Sequence, residues 1–262
     1  AGYAGVVWVC RQLEPLEQSS GDVGVFSRIS WQNLLVMVVM ALVVCALGNS
    51  DRTFHFRMRM EECMVKGNFA EATQVGVKEA ATDSSLTMLR VWALSENHML
   101  GDRLFSYPLV GGSDAMLPNG ASVKLMMADE RKLYAHLGVV FIQKMRPRVY
   151  LETLHKAHRA TAAAHDWLLC AYLLDRDLNQ FVRHLAKYYP INEQLPKHYK
   201  EALIIYKHTT SHPLISYYNN VKEADYDDFQ DLGDKYGNKR ERYTALRDKY
   251  GDTYWFYYHY KR

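Results

Sequence analysis

Residues Leu34 to Leu47 read LLVMVVMALVVCAL, an unbroken apolar run. Working outward, the uncharged stretch extends from Ile29 to Ser50, with Arg28 before it and Asp51-Arg52 after it. A helix rises about 1.5 Å per residue, so roughly 20 residues cross a hydrocarbon core. The stretch therefore predicts a transmembrane helix over 29–50. Trp31 at the leading edge suits the headgroup layer, and the nearby arginines can snorkel. The strictly apolar part, fourteen residues, also has the length of a buried core helix or of a signal-peptide h-region. A signal peptide fits less well, because about thirty residues precede the run and no basic segment leads into it.

The first ten residues, AGYAGVVWVC, are apolar too, and the chain carries no initiator Met. The expectation is a fragment in which Ala1–Cys10 is the tail of an earlier span. Residues 11–30, with Pro15 and an SSGD turn, then form a short loop; the alternative is an irregular N-terminus. Arg11 and Arg28 lie before the run, and Arg52, Arg57, Arg59 and Lys66 after it. That asymmetry leans weakly toward a cytoplasmic C-terminal part, although long domains translocate regardless of charge.

The remainder of the chain is long enough to bury a substantial core. Net charge is +3, with acids and bases interspersed, which argues against a nucleic-acid surface built of clustered Lys and Arg. The four cysteines, Cys10, Cys45, Cys63 and Cys170, include no CxxC, so neither a disulfide framework nor a Cys-based zinc site is implied.

After residue 50 apolar residues recur at helical spacing and period-2 runs are scarce. Breaks at Gly67-Asn68-Phe69 and Gly101-Asp102 stand 34 residues apart. The small residues Gly138, Cys170 and Ala202 follow each other at 32, each predicted mid-helix and each followed by a break. A period of thirty-odd residues with a helix–turn–helix in each unit predicts a helical solenoid, in which stacking hides a stripe that one pair cannot bury alone. Gly67-Asn68-Phe69-Ala70-Glu71-Ala72 matches G-[DN]-[FY]-x-x-A, and Leu137-Gly138 with Phe141 matches L-G-x-x-Y; these resemble the tetratricopeptide repeat. Gly76 replaces its usual large apolar residue and the leading Trp is missing, so the fold class expected is all-α, a transmembrane helix followed by a degenerate tetratricopeptide-like α-solenoid. A generic all-α domain is the alternative.

The expected organisation is a membrane segment over 1–50, a repeat region over 51–221 and an aromatic cap over 222–262. The repeat region carries a glycine- and proline-broken loop insertion at 107–122. In the cap, DKYG occurs at Asp234–Gly237 and again at Asp248–Gly251, with the glycines placed to end short helices. The terminal GDTYWFYYHY predicts a helix that lays aromatics over the open end of the solenoid, hydroxyls outward; a partner-binding aromatic platform is the sharper alternative. The tail YGNKRERYTALRDKYGDTYWFYYHY and the loop LFSYPLVGGSDAMLP (104–118) resemble an uncharacterised family of multi-spanning membrane proteins of Bacteroidota, with a helical soluble region at the C-terminus. That resemblance implies an integral protein of a bacterial inner membrane, the side of its soluble region undetermined. It implies no chemistry.

Chemistry is sparse. His155 and His158 lie one turn apart and His165 shares their face, but His165 falls about 10 Å further along the axis and no HExxH occurs. His208 and His212 stop at Pro213. Gly111-Gly112-Ser113-Asp114 matches neither a phosphate-binding loop nor G-x-S-x-G. The acidic cluster from Glu223 to Asp234 lacks the order of a calcium loop. No catalytic motif, metal or cofactor is implied. The functional expectation is a membrane-anchored scaffold holding a protein or peptide partner in a groove. Polar residues on successive helices would line it: Lys132, His136, Gln143, His165, Asp166, His198 and Glu201. The alternative is an accessory domain of a membrane enzyme or transporter whose working residues lie upstream. A weaker third reading is a hydrolase around Ser113.

Overall fold

The computed structural model describes residues 28–48, 50–77, 79–139 and 145–260. Ala1–Cys10, most of the 11–30 loop, Phe141 and Gln143 lie outside the described residues. Two compact units emerge, residues 1–51 and 52–262. The described residues are all-α, with no strand among them.

In the first unit, helix α1 runs Arg28–Leu47. Among the described residues no helix is long and apolar enough to cross a membrane, which corrects the expectation of a spanning helix over 29–50. The physical reason is Gln32-Asn33: they cut the apolar rod to Leu34–Leu47, about 21 Å at helical rise against a core of about 30 Å. Leu35, Met37, Leu42 and Val44 are all exposed, and no polar residue interrupts that stretch.

The second unit contains α2 (Arg52–Val65), α3 (Phe69–Ala72), α4 (Ser84–Glu96), α5 (Leu100–Arg103), α6 (Glu130–Leu137), α7 (Pro147–Lys156), α8 (Ala162–Leu174), α9 (Leu178–Tyr188), α10 (Lys197–Thr209), α11 (Asn220–Asp234), α12 (Lys239–Tyr250) and α13 (Tyr254–Tyr260). Starts follow capping chemistry. Asp83 accepts from Leu86 N at 2.7 Å, Asp177 from Gln180 N at 3.1 Å and Asn219 from Lys222 N at 3.0 Å. Pro147 opens α7 at a position whose N–H would go unused.

Four helices end on one device. Gly67, His98, His158 and Arg176 take left-handed φ of 76°, 55°, 53° and 59°. At each, the next residue's N–H returns to the carbonyl five back: Asn68 to Cys63, Met99 to Leu94, Arg159 to Leu154 and Asp177 to Tyr172. Only Gly67 is a glycine. Gly101 sits inside α5, where a Cβ would strike Pro196 and Tyr199. Gly138 does not lie mid-helix as expected but caps α6 at φ 144°, whereas Cys170 and Ala202 are buried mid-helix.

The packing is not the nearest-neighbour stack that a solenoid implies. α8, buried along most of its length, touches α4, α5, α6, α7 and α9. The 107–122 segment is partly buried. Leu109, Ala115, Met116 and Leu117 are buried, and a 3-10 turn at Gly112–Ala115 lies against α7 and α8. The terminal aromatics turn inward too. Tyr254 and Tyr257 hydroxyls donate to Leu173 O (3.1 Å) and Leu174 O (2.9 Å) at the C-terminal end of α8, where carbonyls run short of intrahelical donors.

One buried acid ties α2 to the segment before α6. Glu61, without exposed surface, accepts from the backbone N–H groups of Met126, Met127 and Ala128 at 2.6–3.0 Å. Removing it strands three donors, each unsatisfied buried group costing about 1–3 kcal/mol, with partial rescue by water. Glu61→Ala is expected to lower unfolding free energy by about 2–4 kcal/mol, and Glu61→Gln by less, since one carbonyl acceptor stays. Urea denaturation followed by circular dichroism checks this; an unchanged midpoint in Glu61→Ala contradicts it.

Candidate functional site: a histidine-rich cleft over α8

α7 and α9 flank α8 and leave a cleft of about 820 Å³ between them. α7 supplies Arg148, Glu152, His155 and Lys156; α8 supplies His165, Leu168 and Tyr172; α9 supplies Gln180, His184, Lys187 and Tyr188. His158 stands at the turn after α7. The lining thus holds four imidazoles and three permanent cations against one carboxylate.

Helical register sets the imidazoles. His155 Nδ1 is 2.7 Å from Leu151 O, and His184 Nδ1 is 2.9 Å from Gln180 O, each one turn back. A carbonyl can only accept, so Nδ1 carries the proton in both and Nε2 is left as the acceptor. His155 Nε2 is buried without a hydrogen-bond partner. His165 stacks on Tyr188 at 4.1 Å between centroids and lies 5.1 Å from His155. Burial pushes His155 down from its ordinary range, and His165, His184 and Lys187 add to that. Burial also lowers His165, with Asp166 opposing. Arg148 bridges Glu152 (3.2 Å) and Asp177 (2.7 Å); burial works against its charge, but those hydrogen bonds hold the guanidinium above its ordinary value.

The expected groove residues do not line one surface. His165 alone among them lies in this cleft. Asp166 turns into the unit, where its Oδ1 accepts from Tyr189 (2.7 Å) and Tyr199 (2.8 Å); burial raises its carboxyl despite these bonds. Lys132 is exposed on α6. His136, half-buried on the same helix, has Nε2 2.8 Å from Ser95 Oγ and Nδ1 3.3 Å from Glu96 Oε1. His198 and Glu201 have no exposed surface, a correction to their place in an accessible groove. His198 Nδ1 is 2.9 Å from Glu201 Oε2, and Phe105 N donates to His198 Nε2 at 3.3 Å. Both lie on the α10 face that meets α5 and α13, so packing consumed them. Ser113 is tied down as well, its N–H and hydroxyl both donating to Asp175. Among the described residues no three His, Cys, Asp or Glu side chains gather as a metal site. Sequence reasoning missed Arg148, His184 and Lys187. Their signal was the repeated polar face of α9, legible only once α7 is known to lie opposite it.

A family model matches residues 124–261, from just before α6 to the end of α13. The chain belongs to this family, described as a family of unknown function (DUF6057). No curated protein and no solved structure matches it. The family region therefore contains all three walls of the cleft.

Neutral buried histidines have a measurable consequence. The unfolded chain takes up protons at His155 and His165 below pH about 6.5, while the folded cleft resists them until their lowered values are reached. Stability is therefore expected to rise with pH through that window and to fall on acidification. Urea midpoints at pH 7.5 and 5.5 test the sign, and His155→Gln with His165→Gln should shrink the difference. It will not vanish, because burial lowers His136 and His259 as well.

Proposed function

We propose that this chain is a membrane-associated binding protein whose helical unit holds an acidic segment of a protein partner in the cleft between α7 and α9. The observation that carries it is the lining: Lys156 and Lys187 stand beside four histidines, while Arg148 is already paired with Glu152 and Asp177. Charge complementarity favours an anionic occupant, which would also stabilise protonated imidazoles. Tyr172 and Tyr188 offer aromatic contact area beside the charges.

Membrane association rests on α1. A helix apolar all round must be covered, and lipid is the cover that asks for no matching shape. Trp31 and the polar Gln32-Asn33 at its start then sit at headgroup level.

A labelled peptide containing six consecutive glutamates, titrated into the full chain by fluorescence anisotropy, tests the cleft. Binding should weaken with salt and fall at least about tenfold in Lys156→Glu/Lys187→Glu. Equal affinity for a hexalysine peptide, or none for either, would sink the proposal; binding of free phosphate but not peptide would make the occupant a small anion. Separately, the full chain should float with phospholipid vesicles, and Val39→Lys/Val43→Lys should reduce this; recovery of a free monomer in the aqueous layer counts against α1 as the anchor.

A further inference from the structure

Ser95, Glu96 and His136 form a constellation separate from the cleft. Ser95 is the penultimate residue of α4 and is buried, yet it borders a cavity of about 330 Å³ shared with Ala162 and Ala163. Its Oγ is 2.8 Å from His136 Nε2. The other ring nitrogen of His136 faces Glu96 Oε1 at 3.3 Å. Glu96 is itself held, since Trp92 Nε1–H donates to the same oxygen at 3.0 Å. With Nδ1 protonated toward the carboxylate, Nε2 is the free base and the Ser95 hydroxyl is the donor. This is the order of roles in an activated nucleophile: hydroxyl, imidazole, orienting carboxylate.

A second feature fixes the electrophile's side. The first N–H groups of a helix have no intrahelical acceptor. In α8 the Thr161 cap takes Ala164 N at 3.3 Å, leaving Ala162 and Ala163 at the wall of the same cavity. Thr161 also donates from Oγ1 to His136 O at 2.7 Å, and its N–H donates to Leu137 O at 3.1 Å. The end of α6, which carries the base, and the start of α8, which carries the free N–H groups, are thus fastened together. The positive end of the α8 dipole lies at this wall and favours a developing negative charge; Asp166 also borders the cavity.

We propose that Ser95 is an acyl-accepting nucleophile with His136 as its base and Glu96 as the positioning residue, serving hydrolysis of a small acyl ester in this cavity. Ser95 Oγ bonds to the acyl carbon as its proton passes to His136 Nε2. The ester C–O bond then breaks and the alcohol leaves with that proton. Water attacks the acyl-serine, gives its proton to His136, and the carboxylic acid departs as Ser95 regains its hydrogen. No oxidant or cofactor enters. Burial lowers His136 from its ordinary value, which keeps it a base at neutral pH.

Two probes test this on the full chain: an alkyl fluorophosphonate, read by intact mass and peptide mapping, and p-nitrophenyl acetate. One adduct on Ser95 is expected, absent in Ser95→Ala, together with ester turnover that Ser95→Ala abolishes. His136→Gln should slow turnover about 10²–10⁴-fold, the range of general-base catalysis. Glu96→Gln should slow it less and shift the acid limb of the pH–rate profile, which a purely structural role would not do. Circular dichroism controls for folding. Should Ser95→Ala not fold, the wild-type adduct map and the Glu96→Gln pH profile decide. No adduct, an adduct elsewhere, or turnover unchanged in His136→Gln overturns the proposal. None of these residues lines the basic cleft, so failure here leaves the binding proposal standing.

Discussion

Glu201 carries its carboxylate into the interior of the helical unit, and much of the packing is arranged to make that tolerable. An unpaired buried carboxylate costs several kcal/mol. Here Oε2 accepts from His198 Nδ1 (2.9 Å) and from Tyr254 N at the start of α13 (2.8 Å). The nearest full cation, Lys197 Nζ, stands 4.0 Å from Oε1, which has no hydrogen bond. His198 in turn must be neutral, because Phe105 N–H occupies its other nitrogen. Trp255 Nε1–H completes the joint by donating to Glu201 O at 3.0 Å. One side chain therefore couples α10, the turn after α5 and the terminal aromatic helix, and removing His198 would leave the carboxylate with the Tyr254 N–H as its one hydrogen bond.

The joint decides what happens to α8. Once α13 is pinned on α10, Tyr254 and Tyr257 reach the last carbonyls of α8, and Arg176 donates to Tyr257 O at 3.1 Å. The C-terminal end of α8 meets aromatics; its N-terminal end is tied to α6 through Thr161. The cleft lies over His165, Leu168 and Tyr172 of α8, flanked by α7 and α9. The cleft is thus set by where α7 and α9 lie along α8, whose two ends are both tied to other elements.

The same argument separates the two proposed sites. His165 and Asp166 are adjacent in sequence, yet one stacks on Tyr188 in the cleft while the other is held by Tyr189 and Tyr199. Successive helical residues point about 100° apart, so a single helix can face a basic cleft and a small acyl-sized cavity at once. His165 and Tyr188 border both, which places the aromatic stack as a shared wall.

The sequence alone settled the helical character and the apolar run. Those are local properties: helical spacing of apolar residues and an unbroken apolar stretch. Several left-handed helix ends were hidden. His98, His158 and Arg176 occupy left-handed positions where glycine is the usual marker, so spacing counted on glycines and small residues picked Gly101 and Gly138 instead. The length of the apolar run is visible in the sequence, and Gln32-Asn33 ends its continuous part at Leu34. What only the tertiary structure decided was which polar residues stay reachable. His198 and Glu201 look no different in sequence from His165 or Lys187, because burial depends on the element lying opposite, here α5 and α13 for the first pair and the open side of α8 for the second. Ser95 and His136 are 41 residues apart, and no local pattern brings them to 2.8 Å; the packing of α4, α6 and α8 does.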